Sequence, residues 1–235
     1  EVTANSSDTG NGGSSTIGAY QINTGLNTFV SGTGWGASTW GSGTWGSSSA
    51  VSSAGQLRLW SQDNFGEDLL FNIRGGGIYY WDESSGTGAR GVNITSLGGA
   101  SNAPTVALQV MVSDTDQHVI AFGTNPIGSS NIDPLFVRFS DQENLNNYLP
   151  TATNTAGTFR LDTGNKITAA LQGKDYVFVL TDLAAYVIQF VGPPFTFSVR
   201  QVGTNCGCIA QHAASYVNGA VYWMSAEGGF FAYDG

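Results

Sequence analysis

At 235 residues, with 13 Phe, 9 Tyr and 6 Trp and only 11% charged side chains, the chain carries enough apolar surface to offset the entropy of ordering. That excludes a disordered protein and allows one large domain. Net charge is −9, and the eight Lys and Arg are scattered, with none before Arg58. This excludes the clustered basic face that displaces counterions from DNA or RNA, and fits an acidic wall past which a polyanion slides without sticking.

Residues 1–18 are rich in Ser, Gly and Asn and read as extended or poorly ordered chain. Residues 19–30 (AYQINTGLNTFV) alternate enough for a short strand or two. Trp35, Trp40 and Trp45 follow, each before a glycine, in GWGASTWGSGTWG. The glycines free the backbone and leave the indoles to anchor it, or to stack on a ligand such as a sugar ring. A polar loop over 47–55 completes a Gly/Ser/Trp-rich N-terminal segment, 1–56, and blade-like material fills 57–235.

One strand–turn–strand pattern recurs there. It reads GEDLLFNIRGGGIYYWD at 66–82, GKDYVFVLTDLAAYVIQ at 173–189 and GAVYWMSAEGGFFAYD at 219–234, with a looser copy from HVIAFGT at 118 to PLFVRFS ending at 140. Each is an apolar run, a small or polar break and a second run, which is hairpin chemistry. The first strands open at Leu69, Val119, Val177 and Ala220, at intervals of 50, 58 and 43 residues. Such spacing matches β-propeller blades, so the expected fold is all-β, a propeller-like array of antiparallel blades. Residues 141–148 read as a turn or short helix. Residues 181–189 are helix-compatible by propensity, but align with strands in the sibling copies and are expected as strand. Pro193-Pro194 breaks the chain between strands, and Asn125-Pro126 and Asp133-Pro134 bracket a loop. The sequence starts at Glu1 and stops just after an apolar run, and reads as an incomplete segment of a larger chain.

A second echo relates RLWSQDN at 58–64 to RFSDQEN at 138–144, with Arg160-Leu-Asp as a fainter third. Arg58 and Asp63 in one stretch, and Arg138, Asp141 and Asn144 in the other, are candidates for tying a blade to its neighbour by charge-assisted hydrogen bonds.

Catalytic signatures are weak. The two histidines are His118, beside Asp114 and Asp116, and His212, and no G-x-S-x-G occurs. Asp63, Glu67, Asp68, Asp82 and Glu83 cluster in sequence as carboxylates that solubilise blade edges. Ser6-x-Asp8-x-Gly10 is half of a sialidase Asp-box without the Thr-Trp that should follow. Asp114-x-Asp116 begins a calcium-loop pattern that Gln117 and His118 do not continue. Cys206-x-Cys208 has only His212 nearby to complete a zinc site, and reads as two small thiols at a strand edge. The GGG at 75–77 is a hairpin turn and not a phosphate loop. No cofactor, metal or catalytic residue is expected, and no stretch is apolar enough for a membrane-spanning helix.

Five stretches, in order, resemble one family. They are GTGWGASTWGSGTWG (32–46), LRLWSQDNFGEDLLFNIRGGGIYYWD (57–82), HVIAFGTNPIGSSNIDPLFVRFSDQENLNNYLPTATNTAGTFRL (118–161), YVIQFVGPPFTF (186–197) and GAVYWMSAEGGFFAYDG (219–235). They look like the tail nozzle (tail tubular or tail-hub) proteins of short-tailed bacteriophages. The resemblance implies a non-enzymatic virion component located in the phage tail. Its fold would be an irregular β-propeller with a platform domain, and its assembly a homo-oligomeric ring, a hexamer. The ring would contact tail adaptor and tail fibre proteins and retain, then release, genomic DNA that passes without sequence-specific binding. The four blade-like units are fewer than a complete nozzle propeller would hold, and a platform sequence is not evident. A carbohydrate-binding propeller or tailspike adhesin using Trp35, Trp40 and Trp45 is the alternative, and a propeller hydrolase a second one.

Overall fold

The computed structural model describes residues 59–235 apart from Ser101 and Thr115, all within the unit Arg58–Gly235. The described residues form an all-β structure of four antiparallel sheets, with no α-helix. Sheet 1 holds β1 (Trp60–Phe65), β2 (Asp68–Ile73), β3 (Ile78–Trp81) and β4 (Val92–Asn93). Sheet 2 holds β5 (Ala107–Val112), β6 (Val119–Thr124), β7 (Phe136–Phe139) and β8 (Gly157–Arg160). Sheet 3 holds β9 (Ile167–Gln172), β10 (Val177–Thr181), β11 (Ala184–Gly192) and β12 (Thr196–Thr204). Sheet 4 holds β13 (Ala214–Val217), β14 (Ala220–Met224) and β15 (Phe230–Tyr233). Within every sheet the strands pair in chain order, each with the next.

The four hairpins expected from sequence are the second and third strands of the four sheets: β2–β3, β6–β7, β10–β11 and β14–β15. A first strand that the sequence reading did not single out precedes each of them. Residues 184–189 are strand, and residues 141–148 form a turn with an isolated Asp141–Asn144 bridge. The turn carries Leu145 and Tyr148 into the core. The Pro-Pro step, with a cis Pro193–Pro194 bond, separates β11 from β12. Between β13 and β14 the turn residues Asn218 and Gly219 both have positive φ, 51° and 89°, the requirement of a type I′ hairpin that Asn-Gly meets without strain.

Strand alternation explains how the sheets pack. In sheet 2, Val110, Val112, Val119 and Ala121 share a buried cluster with Leu70 and Ile78 of sheet 1. Their neighbours Met111, Ile120 and Phe122 point the other way and share a second cluster with Ile167, Val177, Val179 and Tyr186 of sheet 3. The opposite side chains of sheet 3, Phe178, Leu180, Ala185 and Val187, join Val221 and Trp223 of sheet 4 in a third. Sheets therefore stack in chain order, and each apolar alternation feeds two separate cores.

Candidate functional site

Among the described residues, the seams between sheets are built from the most extensively bonded polar side chains. They start on the first strands. Ser61 Oγ accepts from Val110 N–H at 3.0 Å, and Asp63 Oδ2 accepts from Val112 N–H at 2.9 Å, so β1 ties to β5. Asn72, fully buried, donates through Nδ2 to Ala107 O at 3.2 Å. Between β5 and β9 the bonding is reciprocal. Gln109 Nε2 donates to Ala170 O at 2.7 Å, and Ala170 N–H donates to Gln109 Oε1 at 2.9 Å.

Arg74, in the turn between β2 and β3, gathers the seams. Its Nη2 donates to Ile167 O of β9 at 2.9 Å; its Nη1 donates to Gln211 Oε1 at 3.1 Å and, more weakly, to Leu108 O of β5 at 3.5 Å. Gln211, in the segment leading to β13, donates back to Trp60 O of β1 at 3.3 Å. One guanidinium from sheet 1 thus reaches sheets 2 and 3 and the approach to sheet 4. Burial lowers its pKa from the ordinary arginine value, yet a guanidinium stays charged at any working pH. Its five N–H donors in a fixed fork suit a point where several carbonyls converge.

A second polar cluster lies between sheets 2 and 3. Asp116 accepts from Ser113 Oγ and pairs with His118 Nδ1, while His118 Nε2 sits 3.0 Å from Thr155 Oγ1. Thr155 Oγ1 in turn donates to Asp141 Oδ1 at 2.7 Å. The order carboxylate, imidazole, hydroxyl is that of a hydrolase triad. The arrangement here is a closed relay instead. His118 is completely buried against Phe139, Phe190 and Phe197, and the Thr155 proton points to Asp141 and away from the imidazole. Thr196 Oγ1 also donates to Thr155 O at 3.0 Å, so the relay ties the β11–β12 hairpin of sheet 3 to the loops of sheet 2.

The residues singled out from sequence fall in different places. Trp35, Trp40, Trp45 and Arg58 lie outside the described residues. Asp63 bonds across the seam between sheets 1 and 2; burial pushes its carboxyl pKa up, against the N–H bonds from Val112 and Asn64. Arg138 is buried and donates to two carbonyls, Asn125 O at 3.2 Å and Asn102 O, with its guanidinium 5.8 Å from the Tyr148 ring centre. Asp141 and Asn144 stay within sheet 2. Asp141 accepts from Thr155, and Asn144 accepts from Asn146 N–H at 3.0 Å. The two echoing stretches occupy unlike positions, since 60–64 falls in a first strand and Arg138 in a third. Asp114 is exposed and Asp116 has both oxygens engaged, so the two do not share a ligand site. Cys206 and Cys208 are buried free thiols whose pKa values burial raises. Among the described residues no group of three or more His, Cys, Asp or Glu could hold a metal, and no helix is long and apolar enough to cross a membrane.

Sequence reading missed Arg74, Gln109, Gln211 and Thr155. Gln109 carried a usable signal, as the one polar residue in the apolar run ALQVMV. Arg74 carried none, being one basic residue before three glycines.

No protein-family model matches the chain, and no curated protein matches it in sequence.

Proposed function

We propose that this chain is a structural subunit of a short-tailed bacteriophage virion, a tail nozzle component whose copies form a ring around the channel that retains and then releases the genome. The observation that carries the reading is the set of four antiparallel meanders laid one on the next in chain order, with the first strands of sheets 1 to 3 and the segment leading to sheet 4 joined through Arg74 and Gln211. Sheets stacked in chain order are what propeller blades would give, and this supports the fold that the ordered resemblance over 32–235 implies. The charge agrees with the role. A chain of net charge −9 gives DNA phosphates little to adhere to. The polar side chains of the seams are spent on fixing one sheet to another, which is what a load-carrying part requires.

Electron microscopy of the purified full chain tests the proposal. Sixfold rings with an open, acidic centre are the expected result. A monomer that binds a defined glycan, and loses that binding in Trp35→Ala, Trp40→Ala or Trp45→Ala, would replace the nozzle by an adhesin.

A further inference from the structure

The stacking of sheets leaves two faces over. Each joint between neighbouring sheets pairs the trailing face of one with the leading face of the next, and the three buried clusters account for three such joints. The leading face of sheet 1 and the trailing face of sheet 4 take part in none of them.

Both leftover faces are apolar and aromatic. On sheet 1, Trp60, Phe71, Tyr79 and Trp81 are half-buried and lie outside the three buried clusters of the described residues. Phe71 stacks on Tyr79 at 5.6 Å and contacts Trp60 at 6.3 Å, so they form a continuous aromatic surface. On sheet 4 the strand register places Tyr222 opposite Ala232 and Phe230 opposite Met224, all turned away from Trp223 and the third cluster. There Val217 is 48% exposed, Tyr222 51% and Phe230 82%. Soluble monomers seldom leave aromatic faces of this kind open, and such patches mark interaction sites.

The geometry points to a second copy of this chain as the occupant. We propose that the trailing face of sheet 4 in one copy packs on the leading face of sheet 1 in the next. The two surfaces are opposite halves of the joint that the chain makes three times within itself, so the contact continues the order 1-2-3-4 into sheet 1 of a neighbour. Among the described residues the hydrogen bonds between these two ends run through Gln211, which donates to Trp60 O and accepts from Arg74. The contact is head-to-tail, and a head-to-tail contact closes into a ring when its rotation permits. The inference rests on the ring of copies proposed above and adds which surfaces build it.

Sedimentation of the full chain over a range of concentrations tests it, using one variant blocked on each face. Phe230→Glu blocks sheet 4, and its exposed position keeps the fold intact. Tyr79→Glu blocks sheet 1, with Trp81→Glu in its place should Tyr79→Glu fail to give a cooperative urea transition. Each variant alone is expected to be monomeric, with self-association weakened more than about tenfold. Mixed in equal amounts, the two are expected to form a heterodimer through the one intact pair of faces and to stop there. If the wild type assembles and both variants assemble equally well, the surface assignment falls while the ring reading stands. If either variant alone forms a stable dimer, like faces pair and the head-to-tail contact is wrong. A wild type that stays monomeric means that no second copy covers these faces. That result removes this inference and the ring of copies together.

Discussion

Strand β10 in sheet 3 reads VFVLT and buries all five residues; strand β15 in sheet 4 reads FFAY and buries none of its four. Both are apolar, and both sit beside a partner strand. They differ in what lies over their faces. Among the described residues, sheets 2 and 3 share buried clusters on both sides, whereas sheets 1 and 4 share one on a single side. Apolar content alone therefore does not report burial in this chain; position in the stack does.

The sharpest way to break that comparison is truncation of an aromatic ring in each region. Phe178→Ala, at a completely buried position shared by sheets 3 and 4, should cost about 3–5 kcal/mol in urea unfolding. Phe230→Ala, on the open face, should stay within about 0.5 kcal/mol. Equal losses would mean that the end face is covered in the folded monomer.

Gly207 probes the joint between sheets 3 and 4 from the backbone side. A Cβ there would fall 1.9 Å from Asp182 O, in the turn between β10 and β11 on which Cys206 and Cys208 dock by N–H bonds. Gly207→Ala should destabilise by about 1–3 kcal/mol and lower the thermal midpoint. A neutral result would show that the 206–208 segment can lift away without loss.

Gln109→Leu tests the polar part of the seam between sheets 2 and 3. It strands the Ala170 N–H and C=O in a buried place, and should cost about 1–3 kcal/mol by urea titration. A change close to zero would leave the apolar cluster as the whole joint.

The smallest expected effect is in acid. Asp133, Asp141 and Asp182 sit in loops of sheets 2 and 3. Burial raises the pKa of each, and hydrogen bonds from Arg160, Thr155 and Asn165 respectively outweigh it, so each ends below the ordinary aspartate value of 3.8. A lowered folded pKa means the stabilisation is present above 3.8 and is lost as pH falls through the folded value. Asp63 at the seam of sheets 1 and 2 runs the opposite way. Its raised pKa contributes stability at low pH that is lost as pH rises through the folded value. Thermal midpoints measured below pH 4 should fall less in Asp141→Asn than in the wild type, and more in Asp63→Asn.

Legibility in the sequence followed local chemistry. β6 and β10 are unbroken apolar runs, and the Gly-rich or polar break after each hairpin strand marks its end. The first strands were harder. β9 reads ITAALQ, and its alanines have poor strand propensity, yet Ala169 and Ala170 are small enough for two neighbouring sheets to approach closely. β1 reads WSQDNF, and its Ser61 and Asp63 look like loop residues because their partners lie 49 positions away. The relay of His118 with Thr155 spans 37 positions and the Arg74–Gln211 bond 137, separations at which no periodicity or spacing gives a signal.

The paired bonds between Gln109 and Ala170 also act as an index mark. Apolar side chains alone let one sheet creep along another, because a methyl group is indifferent to which methyl it meets. A displacement by one residue is about 3.3 Å, and it also turns the required amide to the opposite side of the strand. The glutamine therefore reads a single peptide unit on its neighbour, and neither sheet can shift along the other until both of those bonds have parted.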